Sequence, residues 1–222
     1  LSAPLLCPLV PLRTALPFSE IMHAIADFDR HEFGLPTRFN HDLLNRFSVV
    51  AFHGPGKTHF MAKLMHWFNF TRKARIPCTG AKMDTLKTRL WPEFRKILAN
   101  CPHEYYKNTI LVDRTQIVWC GDVDWCALIE AASQPENLAG FHDDNLVFLV
   151  EEASGVADEM YPVIEGALST EGSILVLIGN PTITSGEFYN SHKKKGTKEL
   201  YYRKKIEHHE SSRISPKWVE GM

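Results

Sequence analysis

One stretch limits what this chain can fold into more than any other: Phe47 to Phe52, then Gly54-Pro55-Gly56, then Thr58 onward. The first part is a short apolar run with two valines, which reads as a buried strand. Two glycines and a proline then force a loop. Past Thr58 the apolar residues Phe60, Met61, Leu64, Met65 and Phe68 recur at helical spacing. Strand, glycine loop and helix, in that order, gather free backbone amides and the positive end of a helix dipole at one point, a natural seat for phosphate.

The remaining segments fit around that unit. Ile76 to Thr79 reads as a second short strand, and Met83, Leu86, Leu90, Phe94 and Ile97 mark one face of a helix that Pro92 must kink or restart. Thr109 to Trp119 reads as strand, with a hairpin around Asp113-Arg114. Leu146 to Val150 and Ile174 to Ile178 are continuous apolar runs, separated by a short helix near Asp158 to Leu168. Uniformly apolar strands alternating with helices predict an α/β protein, its mainly parallel sheet flanked by helices on both faces. Upstream, Ser19 to Phe33 has helical spacing, with Ser19 as its cap, behind a Pro-rich start. A chain of 222 residues, 44% of them hydrophobic, can build such a core without disulfides or metal. Its net charge of -1 excludes a polybasic protein but permits a local basic surface. Five cysteines with no CxxC pair read as reduced thiols of a cytosolic protein, and no apolar run reaches transmembrane length.

Three tips carry chemistry. Ala51-Phe-His-Gly-Pro-Gly-Lys-Thr58 matches the phosphate-binding pattern G-x-x-x-x-G-K-[ST] except at its first position, where Ala51 replaces glycine. Lys57 would neutralise β/γ-phosphate charge and the Thr58 hydroxyl would ligate Mg²⁺. About ninety residues downstream, the apolar strand ending at Val150 runs into Glu151 and Glu152, the first suited to supporting the metal and the second to deprotonating water. The run from Ile174 ends in Gly179-Asn180-Pro181, placing an amide where it can sense a terminal phosphate. Further on, Lys193, Lys194, Lys195, Lys198, Arg203, Lys204 and Lys205 stand against the single acid Glu199, a candidate DNA-backbone patch, with Lys193 to Lys195, Lys204 and Lys205 as its named contacts. His53 is a spacer within the loop and receives no catalytic role.

Ala51 to Thr58, Pro135 to His142 running into Leu149 to Val156, and Ile164 to Gly172 through Ile178 to Tyr189 together resemble the large subunit of tailed-phage (prophage) terminases, the motor that packages viral DNA. The resemblance covers about residues 46 to 222, ending in Ile214 to Met222; residues 1 to 40 match poorly. It implies a three-layer P-loop NTPase fold followed by an RNase H-like nuclease domain. The division implied is 1–45 as an N-terminal arm with a helix, 46–206 as the ATPase core and 207–222 as the start of a linker, the nuclease carboxylates lying beyond Met222. Residues His53, Gly54, Pro55, Gly56, Lys57 and Thr58 would hold ATP, Thr58 and Glu151 the Mg²⁺, with Glu152 the catalytic base, Lys57 the catalytic cation and Asn180 the coupling residue. Implied partners are double-stranded DNA, a terminase small subunit, a portal protein and further copies in a ring, in the host bacterial cytoplasm and away from membranes. No nuclease activity is expected from these residues. The sequence departs from the family at Glu151, where aspartate is usual, at Pro162, which interrupts a helix, and in lacking a glutamine-based adenine motif before residue 46. It assigns no arginine finger. Two other readings stay open: a helicase-type DNA-dependent ATPase, and a folded but non-catalytic prophage remnant favoured by Ala51 and Glu151.

Overall fold

A computed structural model describes residues 18–32, 44–132, 138, 140, 141, 143–170 and 172–211. Most of the 135–142 stretch and all of 214–222 lie outside the described residues, as do residues 1–17. In chain order the structure has α1 (Ser19–Glu32), β1 (Arg46–Ala51), α2 (Lys57–Thr71), β2 (Arg75–Gly80) and α3 (Met83–Thr85), which runs through a π-helical turn (Leu86–Leu90) into α4 (Trp91–Ala99). Then come α5 (Glu104–Asn108), β3 (Ile110–Val112), β4 (Gln116–Trp119), β5 (Asp122–Ile129), β6 (Val147–Glu151), α6 (Met160–Ala167), β7 (Ile174–Gly179), α7 (Gly186–Lys193) and β8 (Tyr202–Ile206).

The strands form one sheet in the order β3-β4-β5-β2-β6-β7-β1-β8. All neighbours from β5 to β8 pair in parallel, and β3, β4 and β5 form an antiparallel flap at one side. Parallel pairing delivers the carboxyl ends of the central strands to one edge. There Gly80 lies beside Glu151, Glu151 beside Ile178, Val50 beside Gly179 and Ala51 beside Ile206.

Successive residues of a strand face opposite ways, so the apolar runs fill two cores. Phe47, Val49, Val176 and Ile178 pack with α1, α2 and α4, whereas Val50, Leu175 and Leu177 pack with α6 and α7. This is the three-layer α/β arrangement that the sequence predicts. Helix α1 belongs to the first core, with Phe18 stacked on Phe60 at 4.6 Å between ring centroids. The buried Ser48 hydroxyl on the second face meets Ser191 Oγ at 2.8 Å and His192 Nε2 at 2.9 Å, which fastens α7 beneath β1.

Four details differ from or refine the sequence reading. The basic run contains an edge strand, β8, whose alternation of half-buried and exposed residues carries no apolar signal until Ile206. Strand β5 falls where the sequence reading assigned no element, and Asp122 is engaged by Lys73 at 2.8 Å. Pro92 restarts the helix, as the sequence reading allows: it sits in the first turn of α4, directly after the π turn whose closing bond runs from the Trp91 amide to Leu86 O. Pro162 does not interrupt α6, because the helix begins at Met160 and the first turn needs no amide donor.

The closest fit in the sheet lies beside the carboxylates. A Cβ on Gly80 would stand 2.6 Å from the backbone oxygen of Glu151. Gly80→Ala should therefore push β2 from β6 and destabilise the protein by about 1–3 kcal/mol, read as a lower midpoint in urea; an unchanged midpoint would contradict so close an approach.

Candidate functional site

Strand β1 ends at Ala51, and the chain turns through Phe52 to Gly56 before α2 begins at Lys57. Two loop positions need glycine for their backbone: Gly54 has φ 89° and Gly56 has φ 102°. Gly56 is the N-cap of α2, and no acidic residue occupies the first helical turn. The amides of that turn thus face the loop without a carboxylate to occupy them, an anion-binding arrangement. Ala51 needs no glycine. It is the last residue of an extended strand, and Cys120 and Glu152 are the only non-glycine residues with positive φ among those described.

Lys57 folds back over the loop. Its Nζ donates to Phe52 O at 2.6 Å, Ala51 O at 3.4 Å and Asn180 Oδ1 at 2.6 Å. Burial lowers its pKa, while the nearby Glu151 and Glu152 carboxylates pull it back up. Asn180, at the tip of β7, also brings its Nδ2 to 3.0 Å from the His53 ring. A second link joins the same tips: the hydroxyls of Ser154 and Thr182 lie 3.0 Å apart.

The two acids have different surroundings. Glu151 ends β6 and is 4% exposed. Thr58 Oγ1 donates to its Oε1 at 2.5 Å, and its Oε2 is buried with no hydrogen-bond partner. Burial raises its pKa, against the Thr58 bond, with Glu152 adding to the rise and Arg89 and Lys57 opposing it. Glu152 turns left-handed, φ 52° and ψ 43°, which lifts its side chain out of the sheet toward solvent. Its Oε1 lies 3.5 Å from Arg89 Nη1.

Loop, helix start and both acids line one cavity of about 510 Å³, with Asn180 on its wall, a size suited to a small-molecule ligand. All of His53 to Thr58 lines it. No group of three or more His, Cys, Asp or Glu side chains suited to a metal occurs among the described residues. A cation here needs further oxygens from a bound phosphate; Thr58 Oγ1 and the unpartnered Glu151 Oε2 fit that requirement for Mg²⁺.

The sequence reading missed the opposite wall: His59, Arg89, Glu93 and Lys96. A signal for three of them exists, since Arg89, Glu93 and Lys96 recur at helical spacing on the face adjoining that of Leu86, Leu90, Phe94 and Ile97. Glu93 is fixed by His59 Nδ1 at 2.6 Å. The lysine patch is not one surface. Lys193 and Lys205 line a separate cavity of about 300 Å³ between α7 and β8, and Lys205 pairs with Glu207 at 2.6 Å. Lys204 points the other way, to Glu20 at 2.8 Å and Glu210 at 3.4 Å. Lys194 and Lys195 are exposed just past the end of α7.

No family model matches the chain. A probable terminase large subunit of Enterobacteria phage P7 is 30% identical over 151 residues, 65% of this chain and 31% of that protein. The chain thus spans under a third of that relative's length. The large terminase of a thermophilic bacteriophage, in complex with ADP, superposes with a TM-score of 0.63 at 12% identity, covering 80% of this chain and 44% of that one. The ATPase domain of the Thermus phage P74-26 large terminase gives 0.54 at 12% identity, covering 79% of this chain and 83% of that one.

The burial of Glu151 has a consequence for stability. Its folded pKa is raised above the ordinary 4.5, so the folded state favours the neutral acid. That contribution is complete below pH 4.5 and is lost as pH rises through the raised value. Glu151→Gln, which removes the buried charge, should unfold at higher denaturant than the parent at pH 7, with the gap closing below pH 4.5. A glutamine variant less stable than the parent at pH 7 would refute the cost assigned to that charge.

Proposed function

We infer that this chain, a relative of the phage terminase large subunits with the fold of their ATPase domains, binds ATP, hydrolyses it, and serves the translocation of DNA into a procapsid. The observation that carries this reading is the meeting of Gly56-Lys57-Thr58 at the start of α2 with Glu151 and Glu152 at the tip of β6, sealed by the Thr58–Glu151 bond. The ADP complex of the thermophilic phage's large terminase, and its complex with ATP-gamma-S, support a nucleotide as the ligand.

In this mechanism the α2 amides and Lys57 bind the phosphates, with Lys57 released from the Phe52 carbonyl to neutralise charge on the β and γ groups. Thr58 and Glu151 would hold Mg²⁺, which when bound would neutralise phosphate charge. Glu152 orients a water in line with the γ-phosphate and takes its proton; a half-exposed carboxylate has the solvent access this needs. Asn180 shares Lys57 with the phosphates, so loss of the γ group alters its hydrogen bonding. It passes that change to the segment after β7, which Thr182 ties back to Ser154 beside the acids. The lysines at 193–195 are proposed DNA-backbone contacts, and residues 46–206 the ATPase core, with DNA, small subunit, portal and ring partners as the family implies. Of the departures from the family pattern, Ala51 and Glu151 leave the geometry undisturbed: Ala51 keeps an extended backbone and Glu151 takes the Thr58 bond. This favours an active enzyme over a remnant.

Lys57→Ala should abolish ATP binding in an equilibrium titration. Glu152→Gln should keep ATP binding and lower turnover by about 10²-fold or more, the scale of a lost general base; hydrolysis at the parental rate in that variant would remove Glu152 from the mechanism.

A further inference from the structure

Among the described residues, Arg89 is the one arginine that lines the phosphate cavity. It sits on the π-helical turn Leu86–Leu90, with Leu86 and Leu90 fully buried beneath it. Such turns concentrate at functional sites because they redirect a side chain without breaking the helix. One turn on, Glu93 is bound by His59 of α2, next to Thr58. The helix carrying Arg89 is therefore tethered to the same first turn that cradles phosphate, and the position of Arg89 across the cavity is fixed by that pair and by its two leucines.

The guanidinium places one donor, Nη1, 3.5 Å from Glu152 Oε1. Both side chains are open to solvent, 66% and 43% exposed, so the pair is weak by itself and does not consume the arginine. A guanidinium has five donors in a rigid planar fork, and a fork that touches one carboxylate oxygen keeps others for a neighbouring phosphate. Lys57 and Lys96, the lysines lining the cavity, offer point charges without that geometry.

We propose that Arg89 reads the terminal phosphate: its guanidinium spans the γ-phosphate oxygens of bound ATP and the Glu152 carboxylate, so that Glu152 is aimed at the attacking water when a triphosphate fills the site. This rests on the reading of the cavity as an ATP site with Glu152 as base. It makes Arg89 a cis-acting discriminator between ATP and ADP, and a positioning residue for Glu152.

The test compares equilibrium binding of ATPγS and ADP, each with Mg²⁺, to the 222-residue chain and to its Arg89→Ala, Arg89→Lys and Lys57→Ala variants. The parent should prefer ATPγS by about tenfold, the scale of one charge-assisted pair. Arg89→Ala should bring the ratio near unity while leaving ADP affinity and the unfolding midpoint unchanged. Arg89→Lys should give an intermediate ratio, with turnover reduced more than binding because the lysine cannot span two groups. Equal affinity of the parent for both nucleotides, or an unchanged ratio in Arg89→Ala alongside lost binding in Lys57→Ala, overturns the role of Arg89. Nucleotide binding that survives in Lys57→Ala overturns the nucleotide-site reading itself, and this one with it.

Discussion

The edge that lines the cavity hangs on one half-buried cation. Lys57 sits where partial burial works against its charge, and three oxygens offset that: the carbonyls of Ala51 and Phe52 and the amide of Asn180. Those oxygens belong to the end of β1, the start of the glycine loop and the tip of β7. A single ammonium thus fixes the loop against two neighbouring strands. Replacing one of its acceptors with a phosphate oxygen would change how the ammonium holds the other strand tip, because its three donors are shared among these oxygens.

The sheet makes this possible. Parallel pairing from β5 to β8 carries the strand tips to one edge, so residues as distant in sequence as Thr58, Glu151 and Asn180 become neighbours. The edge tolerates little slack. Gly80 approaches the Glu151 backbone too closely for any side chain, which fixes where the buried carboxylate stands relative to Thr58. Edge strand β8 is secured from outside, by the Lys204 bridge to Glu20 on α1 and Glu210 beyond the strand.

Much of this was legible in the residues. Apolar runs at 47–52, 146–150 and 174–178 announced β1, β6 and β7, because strands buried on both faces have no room for polar alternation. The glycine loop was legible at Gly54 and Gly56, whose positive φ values are what glycine there signals. Strand β8 was not legible, since Arg203, Lys204 and Lys205 obscure a pairing held by backbone hydrogen bonds to β1. Arg89 was not legible either: the reading followed the buried stripe of its helix, and which exposed residues face a cavity depends on where the helix docks. Glu152 was named for its neighbour in sequence, but the left-handed turn that separates its surroundings from those of Glu151 is a tertiary feature.

Ala51 bears on how such loops drift over generations. At the end of β1 the backbone is extended, and a methyl group is buried there within the core. Glycine and alanine codons differ by a single base, so this position can move between the two without disturbing the loop. Gly54 and Gly56 have no such freedom, since any side chain there opposes the turn itself. The front of the motif is therefore free to erode by neutral exchange while its rear is held by conformation. A strict pattern would pass over this loop although its cradle is intact.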